Sequence, residues 1–242
     1  MGKDLGEETL SNLAEAGIKS QLDKSDQVNV DINADSADIV QGKVDSVEID
    51  GKGMEMKDGL RMEEMHLQTN AVDLDVMSTM FGDVKLEQST QASAQVVLTE
   101  EDINRAFNSK FIQQKMQGLE LSIEGQPAQA NVQGVQFELM DSGKVGLTAW
   151  VEVNQDRRKT AFTAMPQVSA DHHQVILEQV EHANGAEFSS DLTQALLEQS
   201  RQLLDLRNFE LEGMRLRLKE LSVEGDRMTL LGEADVEEFP SD

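Results

Sequence analysis

The sequence predicts an α+β chain in which a strongly curved, long-stranded antiparallel sheet wraps around amphipathic helices. Three observations carry that reading. Apolar residues alternate at period two over long segments, the parity of the alternation switches without an intervening turn signal, and three other segments repeat their apolar residues at helical spacing. A strand buried on one face must keep its alternation, and one inserted residue restores the inward face after a switch while bending and twisting the strand. With three prolines in 242 residues and no Gly- or Ser-rich stretch, no linker divides the chain, so residues 1–242 read as a single domain.

The first helix is expected near 6–23, where Leu10, Leu13, Ala14, Gly17, Ile18 and Leu22 share a face and Glu7 and Glu8 sit at the positive end of the macrodipole. Strands follow. Val47 and Ile49 give way to Met54 and Met56 across Gly51-Lys52-Gly53, and the even pair Leu60 and Met62 gives way to odd Met65, Leu67 and Thr69, then to even Val72, Leu74 and Val76. Each switch predicts a bulge. Val84, Leu86, Thr90, Ala92, Ala94, Val96 and Leu98 keep one parity, which describes a strand of about 15 residues against a common length of about 5–6.

A second helix is expected near 100–117. Thr99 precedes Glu100-Glu101-Asp102 in the manner of a capping box, and Ile103, Ala106, Phe107, Phe111 and Met116 form its stripe. Val145, Leu147, Ala149, Val151 and Val153 make the next strand; Trp150 points to the opposite side, as a core anchor of a second face or as an interface residue. The third helix, near 187–206, carries Phe188, Leu192, Ala195, Leu196, Leu203 and Leu204 behind Ser189 or Ser190 as cap. Leu216 and Leu218 switch parity to Leu221 and Val223, a further predicted bulge. The string apolar-x-apolar-acidic-Gly ends at Gly51, Gly125, Gly213 and Gly225 and marks turns.

Forty-six acidic residues against 21 basic ones give a net charge of −25. Nucleic-acid binding and a general polybasic hold on anionic bilayers are thereby excluded. The absence of cysteine excludes disulfide scaffolds and thiol chemistry. Neither a nucleophile elbow, a phosphate-binding glycine loop nor a His-Glu-x-x-His motif occurs. Adjacent His172 and His173 would point to opposite faces of a strand, and Asp31-x-Asn33-x-Asp35 lacks the glycine and glutamate that a calcium loop requires. The chain thus reads as a non-enzyme with neither cofactor nor metal. No apolar run approaches a membrane span, and Met1 to Glu8 lacks the features of a secretory signal. A complete chain is expected in the cytoplasm, peripheral to a membrane; one trimmed of a signal is expected in the periplasm.

Six of the 12 methionines, Met54, Met56, Met62, Met65, Met77 and Met80, fall within one short stretch. Flexible thioethers suit a groove that accepts varied apolar ligands, and they equally suit an ordinary core. Basic residues cluster at Arg157-Arg158-Lys159, in an expected hairpin turn, and at Arg215, Arg217 and Lys219 on one strand face. Both clusters are candidates for headgroup contact, with cross-strand pairing to acidic neighbours as the alternative.

The segment Ile39-Val-Gln-Gly-Lys-Val-Asp-Ser-Val-Glu-Ile-Asp-Gly-Lys-Gly-Met54, the alternation from Leu60 to Val76 and the stretch Val96-Val-Leu-Thr-Glu-Glu-Asp-Ile-Asn-Arg-Ala-Phe-Asn-Ser109 together resemble the LmeA-like phospholipid-binding family. The resemblance covers most of the chain, is strongest from about 28 to 117, and is similar in layout to the family's cyanobacterial members. It implies a curved antiparallel sheet around helices, related to tubular lipid-binding modules, and a phospholipid ligand. It supplies no catalytic residues. Combined with the methionine pattern, it leads to an expected function: non-catalytic binding and transfer of phospholipid or another acyl-chain lipid in a groove between sheet and helices, with transient membrane contact. The expected lining is Met54, Met56, Met62, Met65, Leu67, Val72, Leu74, Phe107 and Phe111, with Arg157, Arg158, Lys159, Arg215 and Arg217 near the headgroup. The alternative is a structural or protein-interaction module with a closed core.

Overall fold

Antiparallel pairing organises every named strand. The computed structural model describes residues 5–56, 59–75, 86–123, 125–182, 190–203, 205–208 and 214–237. A seven-stranded sheet contains β1 (Leu22–Lys24), β2 (Gln27–Asn33), β4 (Ser46–Met56), β5 (Arg61–Thr69), β7 (Thr90–Thr99), β13 (Met214–Glu224) and β14 (Arg227–Val236), in the order β1-β4-β5-β7-β14-β13 with β2 also paired to β4. A five-stranded sheet runs β12 (Val175–His182), β11 (Asp156–Val168), β10 (Val145–Val153), β9 (Gln126–Leu139) and β8 (Leu119–Ile123). The short pair β3 (Lys43–Val44) and β6 (Val72–Asp73) stands apart. Helices α1 (Leu5–Gln21), α2 (Ser36–Ile39), α3 (Glu100–Phe107), α4 (Lys110–Lys115) and α5 (Ser190–Leu203) complete the curled α+β architecture.

The expected alternation holds where it decides packing. Val145, Ala149, Val151 and Val153 of β10 are buried, as are Thr160, Phe162 and Ala164 of β11 and Val132, Val135, Phe137 and Leu139 of β9. Those of β9 and β10 meet Ile103 of α3, Met116 after α4, Leu192 of α5 and Val223 of β13 in the largest core cluster. Because Val223 belongs to the seven-stranded sheet, this core joins the two sheets. A second cluster lies beneath α1, where Ala14, Ile18 and Leu22 pack on Val28, Val30, Met54, Met62 and Met65.

The bulges are fewer than the parity switches suggest. A register shift between Leu218 and Glu220 accounts for the switch from Leu216 and Leu218 to Leu221 and Val223. β5, in contrast, keeps one register against β4 from Arg61 through Gln68 and against β7 from Glu64 through Thr69. All its residues from Arg61 to Leu67 are half-buried, so parity carries no burial contrast there to enforce a bulge. The later switch, from Thr69 to Val72, falls where β5 ends and β6 begins. At Gly51-Lys52-Gly53 the β4–β5 register is likewise unbroken, and within the strand Gly53 takes a left-handed conformation, with φ +55°. A Cβ there would stand 2.1 Å from Asp26 Oδ2. Gly53→Ala therefore combines left-handed strain with a clash and should destabilise the fold by about 1–3 kcal/mol in urea unfolding.

The long strand expected from Val84 is paired as β7 only from Thr90; Leu86 makes an isolated bridge to Leu74, and 76–85 lie outside the described residues. The helix expected over 100–117 is broken into two. Asn108 leaves helical geometry (φ −98°, ψ 5°), and the Ser109 hydroxyl caps the next turn by accepting from Ile112 N–H at 3.3 Å. α5 is described from Ser190, so Phe188 and Ser189 lie outside the described residues, as does Leu204.

Candidate functional site

α3 is seated by its ends and its polar face. Thr99 and Asp102 form the expected capping box: the Thr99 N–H and hydroxyl donate to Asp102 Oδ2 at 3.0 and 2.7 Å, and the Asp102 N–H donates to Thr99 Oγ1 at 3.2 Å. Asp102 also accepts from Arg61 Nη1 of β5 at 2.7 Å, although its side chain is only 1% exposed. Burial pushes this carboxyl upward, but the hydrogen bonds from Arg61 and Thr99 outweigh it and hold Asp102 below the ordinary value of 3.8.

The opposite contact is with β9, whose partner β8 pairs only with Gln126–Ala130. Beyond that point helix side chains take the place of a strand. Leu139 N–H donates to Glu100 Oε2 at 2.9 Å; Phe137 N–H donates to Asn104 Oδ1 at 2.7 Å, and Asn104 Nδ2 donates to Phe137 O at 2.9 Å. Asn108 and Gln117 donate to Val135 O and Val132 O at 3.0 and 2.9 Å. Glu100, Asn104 and Asn108 recur every four residues and so form one helix face, meeting odd-numbered backbone groups that share one strand edge. The edge is thus satisfied rather than left as a template for another chain. Asn104→Ala removes the partners of both Phe137 backbone groups and should cost about 2–4 kcal/mol by chemical denaturation, more than Asn108→Ala, which removes one.

α5 is anchored toward its N-terminus. Leu192 and Thr193 are fully buried, and the Thr193 hydroxyl shares a 2.6 Å hydrogen bond with Thr160 of β11. One to two turns further on, Leu196, Leu197 and Ser200 face a cavity. Phe107, Met116 and Leu119 form the wall on the α3–α4 side. Val132, Val135, Leu147, Ala149, Phe162 and Leu177 form the sheet floor. Among the described residues Ser200 is the sole polar one in this lining, and its hydroxyl already donates to Leu197 O at 2.8 Å. Phe107 is braced by Phe137, with ring centroids 4.6 Å apart at 33°. The cavity measures about 60 Å³, and the hollow out to its open mouth about 510 Å³. The described lining carries no titratable side chain, so the chemistry it offers is apolar burial.

The expected lining residues are dispersed. Phe107 is in the cavity wall. Met54, Met62 and Met65 are in the core under α1, Met56 is 45% exposed, and Leu67 packs against Ala92, Ala234 and Val236. Val72 and Leu74 pack with Ala34 and Val44 around β3 and β6. The Phe111 side chain, Met77 and Met80 lie outside the described residues. The floor on β9 to β12 was not singled out from sequence; its signal is the small residue Ala149 set between Leu147 and Val151, which lowers the floor beneath larger neighbours.

The two basic clusters differ. Arg215 pairs with Glu237, Arg217 with Asp235 at 2.8 Å and Lys219 with Glu233 at 2.9 Å, across β13 and β14 or just beyond. Arg157, Arg158 and Lys159 follow the tight turn at Asn154 and Gln155 (φ 50° and 75°), and among the described residues no carboxylate lies within 4 Å of their charged groups. Lys159 Nζ stands 5.5 Å from the centroid of the Trp150 ring. Trp150 is 41% exposed, so the reading of it as a second-face core anchor is corrected: a core anchor on that face would be buried.

His66, His172 and His173 make local polar contacts. His172 and His173 place Nδ1 at 2.9 and 3.1 Å from Leu218 O and Leu216 O, closing the edge of β13. Glu48, Asp50 and His66 form the one described trio with metal-ligand atoms within 4.8 Å of one another; it is solvent-facing, and the 2.8 Å contact of His66 Nδ1 with Asp50 is ordinary cross-strand pairing. No helix of the described residues is long and apolar enough to cross a membrane.

A family model described as LmeA-like phospholipid-binding matches residues 2–233. No curated protein matches, and no solved structure matches.

Proposed function

The chain belongs to the LmeA-like phospholipid-binding family, and from that premise we propose that it binds phospholipid without catalysis by taking an acyl chain into the cavity between α5, the α3–α4 pair and the five-stranded sheet. The observation that supports this site is its lining, which among the described residues is apolar except for a Ser200 hydroxyl engaged with its own helix. Each methylene buried there contributes about 0.8 kcal/mol, so the ligand is held by length of chain and not by charge, as the net −25 requires. A whole acyl chain needs more room than about 60 Å³. The cavity enlarges when the C-terminal half of α5 lifts about the anchor at Leu192 and Thr193, and the same movement releases lipid to a membrane during transfer.

Protein purified without detergent, extracted and analysed by mass spectrometry should yield phospholipid near one molecule per chain, and labelled phospholipid should pass between vesicle populations faster in its presence. Blank results in both measurements would leave the closed-core interaction module as the function.

A further inference from the structure

We propose that the β10–β11 hairpin is the surface by which the protein docks on a lipid bilayer bearing anionic headgroups, with Trp150 entering the interface and Arg157, Arg158 and Lys159 meeting phosphates. The inference rests on the lipid-binding reading above and names where the membrane contact is made.

Position and chemistry agree at this hairpin. Trp150, Arg157 and Lys159 share the outer face of the five-stranded sheet, because Lys159 pairs with Trp150 and Arg157 with Glu152, while exposed Arg158 pairs with core-facing Val151 and projects from the other side of the same hairpin end. With Gln133 and Val151 these residues bound a surface hollow of about 700 Å³. Trp150 is the only tryptophan in the chain and is 41% exposed, with Lys159 Nζ over its ring. An indole presents an apolar body with a polar N–H, the combination that favours the headgroup level of a bilayer. The cations of β13 are already neutralised by Glu237, Asp235 and Glu233, whereas those of the hairpin have no ion pair among the described residues. Two carboxylates lie close in sequence or register, Asp156 at the start of β11 and Glu152 opposite Arg157 on β10, so the local excess is small but positive.

Net charge then sets the orientation. With −25 on the whole chain, most approaches to an anionic surface are repelled, and the repulsion extends little beyond the Debye length of about 8 Å in physiological salt. A hairpin-first approach brings an attractive patch within that distance while the acidic remainder stays farther off. Docking is consequently weak, salt-sensitive and single-faced, as release after lipid transfer requires.

The sole tryptophan reports on this directly. Emission of the full-length protein should shift to the blue and be quenched by brominated acyl chains when vesicles of phosphatidylcholine and phosphatidylglycerol are added, and should not change with phosphatidylcholine alone. Each interfacial cation contributes roughly a factor of five, so the triple variant Arg157→Gln, Arg158→Gln, Lys159→Gln should bind the anionic vesicles about a hundredfold more weakly in flotation, and molar salt should do the same. Arg215→Gln should bind as the unaltered protein does. An unchanged emission with anionic vesicles overturns the proposal, as does a triple variant that binds normally or equal binding to neutral vesicles. The two readings fail separately: if the acyl cavity is wrong, extracted protein is free of lipid while Trp150 still inserts; if the docking surface is wrong, extracted protein carries lipid while Trp150 stays in water. All three substituted side chains are exposed, and retained far-UV circular dichroism checks that the variant is folded.

Discussion

Ala149→Phe should abolish co-purification of phospholipid, with bound lipid falling at least tenfold while the fold is retained. Ala149 is 3% exposed and lies on the cavity floor opposite Leu196 and Leu197. A phenyl ring placed there occupies space that water-sized molecules now reach, so the void fills first and the surrounding core is strained second. Overpacking typically costs about 1–3 kcal/mol, which a domain of this size survives. The acyl chain loses far more, because every methylene excluded forfeits about 0.8 kcal/mol, and two excluded methylenes already exceed a tenfold loss. Leu196→Trp fills the same space from the α5 side and should give the same result. Extraction and mass spectrometry beside urea unfolding separates the cases. If both variants retain normal lipid, the acyl chain lies elsewhere, and the Met54, Met62 and Met65 core under α1 becomes the site to fill next.

The largest effect on stability is expected at Arg61. Replacing it with Met should cost about 3 kcal/mol at neutral pH, since it leaves the Asp102 carboxylate, 1% exposed, without its guanidinium partner. The Thr99 hydrogen bonds remain, which keeps the cost at the lower end of the range for broken buried pairs. The pH dependence identifies the pair. Asp102 is depressed in the folded chain, so its contribution is fully present above the unfolded value near 3.8 and disappears as pH falls through the lower folded value. In acid, once Asp102 is protonated, Arg61 has no charge there to pair with, and the gap between the two proteins narrows. Urea midpoints at neutral pH and near pH 3 measure it. A penalty that is equal at both would mean that Arg61 acts through its packing or through Glu63 and not through Asp102.

Much of the architecture is legible from residue spacing. The alternation of β10, the capping box at Thr99 and the register shift after Leu218 all follow from rules that act within a few residues. At the break after Phe107, Asn108 donates to Asn104 O in its own helix and to Val135 O of β9, and Ser109 caps the next turn. The local part of that arrangement is within reach of sequence, whereas the bond to Val135, distant in the chain, is not. The face Glu100, Asn104, Asn108 reads as a solvated helix surface until β9 is placed against it.

The candidate site divides along the same line. The methionines of β4 and β5 were conspicuous by composition, yet composition says nothing of which apolar surfaces close on each other. α1 covers Met54, Met62 and Met65, whereas α5 leaves space over Ala149. Likewise the triplets Arg157-Arg158-Lys159 and Arg215, Arg217, Lys219 carry the same three cations in sequence. Only the pairing of β13 with β14 sets one opposite carboxylates and leaves the other beside Trp150.

By itself the sequence determined the α+β class, the antiparallel curvature, the family, the net charge that rules out a general electrostatic hold on membranes, and the absence of any familiar catalytic motif. These depend on local periodicity, summed charge and motif spacing, which no folding event rearranges. Tertiary structure alone decided where the cavity lies, how the open edge of β9 is satisfied and which cations remain unpaired. Each of those is a relation between residues far apart in the chain, fixed by sheet register and helix placement, and the same local patterns are compatible with other answers until the chain has closed upon itself.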